Sequence, residues 1–357
     1  MQSTARSRCS GFADRFPRLR WAPGRWAVQA LMLASATGAS GLTTLHHFRP
    51  DIGHANAPLA SDGAGNLYGT TCGGGATNNG TIFTVKADGS GFAVLHAFTG
   101  GLADGKCPLA GLYFGGSSVL YGTTSGGGAA DQGTVFTIRT DGSGFEILHS
   151  FVGGADDGSQ PWGALVGEGT SGLFGTTFLG GVFGYGTVFR IDRDGTGFAV
   201  LHSFNLQTDG SRLVGGLTTD GAGTLYGTAG AGGASSQGTI FSVGTDGSNF
   251  TLLHEFGGGA GDGSYPEGGL LAYDAGALYG MTAGGGAMDG GTLFVVGTDG
   301  GGFEILHSFG GGPSDGFMPG GNGLVVSAAG DLYGITSGGG EDGLGTVFTI
   351  RTDGSGF

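Results

Sequence analysis

The chain has 357 residues, of which 87 are glycine, with 38% hydrophobic and 12% charged side chains. Glycine falls in runs such as Gly73 to Gly75 rather than at every third position, and there are only 9 prolines, which excludes a collagen helix. The 25 phenylalanines and the low charge fraction exclude a disordered chain, while the net charge of −14 argues against anionic partners.

The first element in chain order is a basic leader. Arg6, Arg8, Arg15, Arg18, Arg20 and Arg25 precede residue 40 with Asp14 as the sole acid, so the remaining chain carries 8 basic and 27 acidic residues, a net charge of −19. Such a surface repels phosphate backbones and anionic lipid, and no nucleic-acid partner is expected. From Trp26 to Ala36 the chain is modestly apolar, over the length of a signal-peptide core, and Ala34-Ser35-Ala36 offers a cleavage pattern. This stretch is too short to span a bilayer. Residues 1–40 therefore read as a signal peptide or basic leader and residues 41–357 as one domain, secreted or on the cell surface. The alternative for the leader is a disordered basic extension or a misassigned start. Cys9 would leave with it, and Cys72 and Cys107 would remain, as a disulfide or as two free thiols.

Beyond the leader the sequence repeats. Leu67-Tyr-Gly-Thr-Thr71 returns at Leu120, Leu173, Leu225, Leu278 and Leu332, at spacings of 53, 53, 52, 53 and 54. Thirteen residues after each leucine stands a second block, Gly80-Thr-Ile-Phe83 in the first copy and Gly345-Thr-Val-Phe348 in the sixth. A third block reads Asp141-Gly-Ser-Gly-Phe145 and then Leu148-His-Ser-Phe151; a short apolar run such as Gly163-Ala-Leu-Val166 precedes each Leu-Tyr-Gly. Each block is short, rich in β-branched or aromatic residues and bounded by Gly, Asp or Ser, as strands are. Phe145, Ile147, His149 and Phe151 alternate with Glu146, Leu148 and Ser150, a period of two. Four strands per 53 residues, six times over, predict an all-β six-bladed β-propeller of four-stranded blades. A β-solenoid is the alternative. The last copy stops at Asp353-Gly-Ser-Gly-Phe357, before its Leu-His-x-Phe strand, whereas Gly41-Leu-Thr-Thr-Leu-His-His-Phe48 supplies one. The expectation is that this N-terminal strand completes the last blade; the alternative is a fragment of a longer array.

Residues needed by every blade serve packing or turns first. Asp88, Asp141, Asp194, Asp246, Asp299 and Asp353 precede glycine between two strands and read as hairpin turns. His46, His96, His149, His202, His254 and His307 recur once per repeat on the outermost strand, too far apart around a ring for a shared metal, and read as half-buried structural histidines. Asp104, Asp157, Asp209, Asp262 and Asp315 open the loops that join one blade to the next, followed by residues that differ between copies. They are the candidate ligand-facing positions, against a simpler role in hydrogen bonding between blades. Cys72 and Cys107 fall on the same face. No metal and no cofactor are expected; calcium is the one weak candidate, because Asp192-Arg-Asp194-Gly-Thr-Gly distantly resembles a calcium loop. No nucleophile elbow, zinc helix or phosphate loop is present.

The full unit, Gly-x-Leu-Tyr-Gly-Thr-Thr, then Gly-Thr-Val-Phe with Asp-Gly-Ser-Gly-Phe, then Leu-His-x-Phe, resembles the GloVer (Gloeo-Verruco) tandem repeat of predicted exported bacterial proteins. The resemblance covers nearly everything after residue 40. It implies export but brings no activity or catalytic residues. Members often end in a sorting segment, which this sequence does not show before Phe357. The reading is a secreted, monomeric scaffold that binds a glycan or protein through interblade loops. Its alternatives are an extracellular polysaccharide hydrolase or lyase using loop carboxylates, and a purely structural exported repeat.

Overall fold

The computed structural model describes residues 44–49, 51–55, 57–169, 172–273, 276–320 and 323–357. The expected leader and the start of the N-terminal strand at Gly41 lie outside the described residues. Every named element is a strand, and the strands form a six-bladed β-propeller. Blade two shows the plan: Tyr113–Phe114, Val119–Thr124, Thr134–Arg139 and Glu146–Ser150 pair antiparallel in that order. Blades one, three, four and five follow the same order. The first strands of neighbouring blades touch, and the buried Thr70 hydroxyl donates to the Ala110 carbonyl of the next blade at 2.9 Å, so the short first strands line the centre.

The repeated blocks have direct physical reasons. In the ladder of Val119–Thr124 with Thr134–Arg139, Gly122 lies opposite Phe136. A Cβ on Gly122 would sit 2.5 Å from the Phe136 ring and 2.8 Å from Leu112, so the glycine exists to admit the phenyl ring. At the end of this ladder the buried hydroxyls of Thr124 and Thr134 bond at 2.7 Å, which accounts for the paired threonine blocks. Phe98 from blade one, Phe136 and Leu120 from blade two, and Tyr68 and Ile82 facing them make one closed core between two blades. Equivalent cores join each later pair up to blades five and six.

The simple alternation of the fourth strand is interrupted. Ile147 pairs with Phe136 and His149 with Val135, leaving Leu148 as the bulged residue, and the same shift recurs in blades one, three, four and five. The bulge lets Leu148 pack against the next core while His149 keeps its own direction.

Blade six differs at its outer side. It contains Val325–Val326, Asp331–Gly339 and Val347–Arg351, and its sheet reaches four strands only through Gly316–Pro319, which pairs with the far end of Asp331–Gly339. Among the described residues no ladder joins 44–49 to Val347–Arg351. Leu45 and Phe48 pack on Leu67, Phe83 and Val85 of blade one.

Replacing Gly122 by valine forces the Phe136 ring out of its place. We expect a loss of about 1–3 kcal/mol in urea unfolding, as overpacked cores show, with no comparable loss for Gly261→Ala, where a Cβ meets nothing within 4 Å and φ is not left-handed.

Candidate functional site

Each loop that leaves a blade zips onto the glycine-rich loop of the next. Gly158–Ser159 pairs with Leu179–Gly180, and Gly105–Lys106 and Gly263–Ser264 make the same pairing in their own blades. These loops form one face of the propeller. The five candidate aspartates lie at its base, turned toward their own blades. Asp157 is buried: Oδ1 lies 3.1 Å from His149 Nε2 and accepts the Gly158 N–H, and Oδ2 accepts the Val152 N–H. An ionised carboxylate only accepts, so Nε2 of His149 carries the proton. Asp104 with His96, Asp209 with His202, Asp262 with His254 and Asp315 with His307 repeat this contact at 3.1 to 3.2 Å. Each imidazole also stacks on a phenylalanine of the following blade, as His149 does on Phe198 at 3.8 Å. The pair ties the outer strand to the exit loop and, through the ring, to the next blade.

Electrostatics follow from these contacts. Burial alone would raise the pKa of Asp104, but the Thr99 N–H and hydroxyl, His96 and the Gly105 N–H together hold it below its ordinary value. Burial lowers the pKa of His202 against the opposing pull of Asp209. Among the described residues His46 has no such partner. Its Nε2 is buried without a hydrogen bond, although the Asp51 carbonyl takes the Gly75 N–H as the Asp104 carbonyl takes that of Gly128.

Above this frame sit residues that the repeat does not fix. Cys107, Gln160, Arg212, Tyr265 and Met318 occupy one repeat position, and all have left-handed backbone with φ between 51° and 62°. Four of the five precede proline, which ordinarily pushes a residue to extended conformation. The strain is held from both sides: the Gln160 N–H donates to the Gln132 carbonyl, and its own carbonyl accepts from Phe178 N–H. Sequence reasoning missed this ring because the position has no residue type in common. Its signal was the variation itself, set between a fixed Asp-Gly and a proline present in four of the five copies.

Two further groupings belong to the same face. Trp162 stacks on Phe178 at 4.4 Å, and the following loop exposes Leu179, Val182, Phe183 and Tyr185, where blades one, two and four carry glycine, alanine and polar residues. Arg212 Nη2 reaches Glu267 Oε1 at 3.2 Å across two exit loops, while burial pushes the Glu267 carboxyl up against the influence of Arg212. Cys72 and Cys107 are joined by a disulfide, which pins the glycine-rich loop of blade one to its exit loop. The Asp194 carboxylate accepts from the Thr196 N–H and hydroxyl inside a turn, and among the described residues no group of three or more His, Cys, Asp or Glu is arranged to hold a metal.

At the opposite ends of the strands, blades three and four share a polar cleft of about 300 Å³ lined by Glu168, Phe174, Arg190 and Thr245. Phe174 stands there where the other blades have tyrosine, and Glu168 instead accepts a hydrogen bond from the Thr219 hydroxyl.

Fold and loops together define a repeat β-propeller. Residues 32–177 match the family model described as the Gloeobacter/Verrucomicrobia repeat, and the same sequence blocks continue through blade six. Similar solved structures include a nidogen/laminin complex, at 15% identity over 72% of this chain and 82% of that one, with a TM-score of 0.45. TolB from Acinetobacter baumannii is 12% identical over 83% of this chain and 63% of that one, TM-score 0.48. A TolB described as putative, from Agrobacterium tumefaciens, is 11% identical over 83% and 89%, TM-score 0.49. No curated protein matches the sequence. No helix among the described residues is long and apolar enough to cross a membrane.

Three outcomes are expected. Asp157→Ala strands the half-buried His149 Nε2 and two N–H groups, and should cost about 1–3 kcal/mol in chemical unfolding. On acidification, His202 has a folded pKa below its ordinary 6.5, so the unfolded state binds the proton first and stability falls as pH drops through that value. Asp104, held below its ordinary 3.8, adds a second loss as pH falls further; melting curves from pH 8 to 3 read both steps, and His202→Gln should flatten the first. Alkylation without reductant should leave peptides containing Cys72 and Cys107 unmodified, and uptake at both would refute the bridge.

Proposed function

We propose that this protein is an exported binding scaffold that presents the loop face of the propeller to a polypeptide partner with apolar and basic side chains. The observation that carries this reading is the contrast within one repeat. The aspartate and histidine frame is the same from blade to blade and internally satisfied, while the loops above it differ and expose large apolar side chains. Phe183 is 52% exposed, Met288 74% and Leu344 78%, at loop positions that need no apolar residue for folding. Exposed apolar groups that are not repeated mark interaction surfaces more often than packing needs. The acidic balance of residues 41–357 selects against anionic partners and favours a basic one. Export is supported by the basic and apolar leader and by the disulfide, since disulfides persist in oxidising compartments.

Screening the protein against a library of peptides graded in charge and hydrophobicity, beside a glycan array, tests the reading. Basic apolar peptides should bind, and the double variant Phe183→Ser, Tyr185→Ser should weaken binding at least tenfold with an unchanged melting temperature. Binding to glycans alone would replace the partner class, and silence of both panels would remove the scaffold reading.

A further inference from the structure

The polar cleft between blades three and four lies where blade three departs from the repeat. On one side of the strand Gly172–Thr177, Glu168 pairs with Gly172 and Val166 with Phe174; on the other, Asp192 pairs with Gly172 and Arg190 with Phe174. Residues opposed in a ladder share a face, as do residues two apart, so Glu168, Phe174, Arg190 and Asp192 stand together. Val166 and Phe174 pack with Leu217 and Leu225, which turns this face toward blade four. In the other blades the place of Phe174 is held by Tyr68, Tyr121, Tyr226, Tyr279 and Tyr333. The Tyr68 hydroxyl bonds with Thr140 of the next blade, and that of Tyr226 with Thr298. Thr245 is the counterpart of these threonines, and Phe174 has no hydroxyl to offer it. Gly172 stands where the other blades carry Asn66, Val119, Thr224, Ala277 and Asp331, so one more side chain is absent from the same gap. With both groups gone, a cleft of about 300 Å³ remains.

The same gap gains charge. Arg190 replaces the Thr84, Thr137, Ser242, Val295 and Thr349 of the other blades. Asp62 and Asp220, at the place of Glu168, accept N–H groups of their own turns, whereas Glu168 reaches across to the Thr219 hydroxyl of blade four. We propose that this cleft binds a small zwitterion, an α-amino acid in its simplest form, with the ligand carboxylate on Arg190 and its ammonium group on Glu168. Arg190 gives one N–H of Nη2 to Asp192 at 2.9 Å, and a guanidinium has further donors in a planar fork that fits a carboxylate. Glu168 keeps lone pairs beyond the one that Thr219 engages. An anion alone would face Glu168 and Asp192, and a cation alone would face Arg190. A molecule carrying both charges meets each side chain with its opposite. The size of the ligand follows from the volume, which is at the lower end of the range of ligand pockets. The Thr245 hydroxyl and the edge of Phe174 line the remainder, one polar and one apolar.

Titration calorimetry of the full chain with the common amino acids, and with glucose and glycerol as neutral controls, tests this site. At least one amino acid should bind, and the neutral compounds should not. Arg190→Thr and Phe174→Tyr each install the residue that other blades carry, so both variants should keep the melting temperature. The first removes the anchor of the ligand carboxylate, and the second returns a hydroxyl to Thr245 and fills the cleft. Each should weaken binding at least tenfold. The methyl ester and the N-acetyl form of the bound amino acid, each lacking one charge, should lose as much on the unaltered protein; if a variant melts early, these two ligands decide. Silence of every amino acid overturns the proposal. So does binding that survives Phe174→Tyr, which would put the ligand elsewhere, or binding of glucose or glycerol that Arg190→Thr leaves intact.

Discussion

The structure depends on one packing constraint, the seating of a phenylalanine ring over a glycine in the neighbouring strand. Phe136 can lie flat over Gly122 only because no Cβ stands there, and the ring then meets Phe98 and Tyr68 of the preceding blade. This contact joins strands within a blade and blades to one another. Burying one such ring is worth about 2–3 kcal/mol, and the contact recurs in each of the six blades. Cooperativity between neighbouring blades follows, since blades one to five each complete a core with residues of the next.

Histidine and aspartate extend the same logic outward. The bulge at Leu148 turns His149 so that its nitrogen meets Asp157 while its ring face meets Phe198. A polar tie and an apolar tie are thereby made by one side chain. The aspartates bond within their own blades, and the loop segments above them vary from copy to copy. The left-handed ring at Cys107, Gln160, Arg212, Tyr265 and Met318 is the point where fixed backbone and variable side chain meet. Strain held by hydrogen bonds from two blades places five unlike side chains at the same position on one face.

Much of this was legible beforehand. The spacing of Leu-Tyr-Gly against Gly-Thr-x-Phe gave the blade, its strand order and its glycine content, because those blocks are local and recur six times. The histidines were legible as structural for the same reason. Less legible were the contacts that cross between blocks. The sequence left the candidate aspartates between ligand contact and hydrogen bonding between blades, because a loop residue and a histidine eight positions earlier show no relation until the chain folds back. The left-handed ring ran against the ordinary effect of a following proline. The stack of Trp162 on Phe178 and the ion pair of Arg212 with Glu267 join residues of different repeats and have no periodic signature.

By itself the sequence determined the repeat, the period-two strands, the turns and the acid balance, since each of these is set by residues adjacent or nearly adjacent in the chain. Only the tertiary structure decided which side chains face outward, which carboxylates are already satisfied, and that residues 44–48 lie on blade one. Those outcomes depend on how successive blades rotate and pack against each other, a property of the assembled ring that no single repeat encodes.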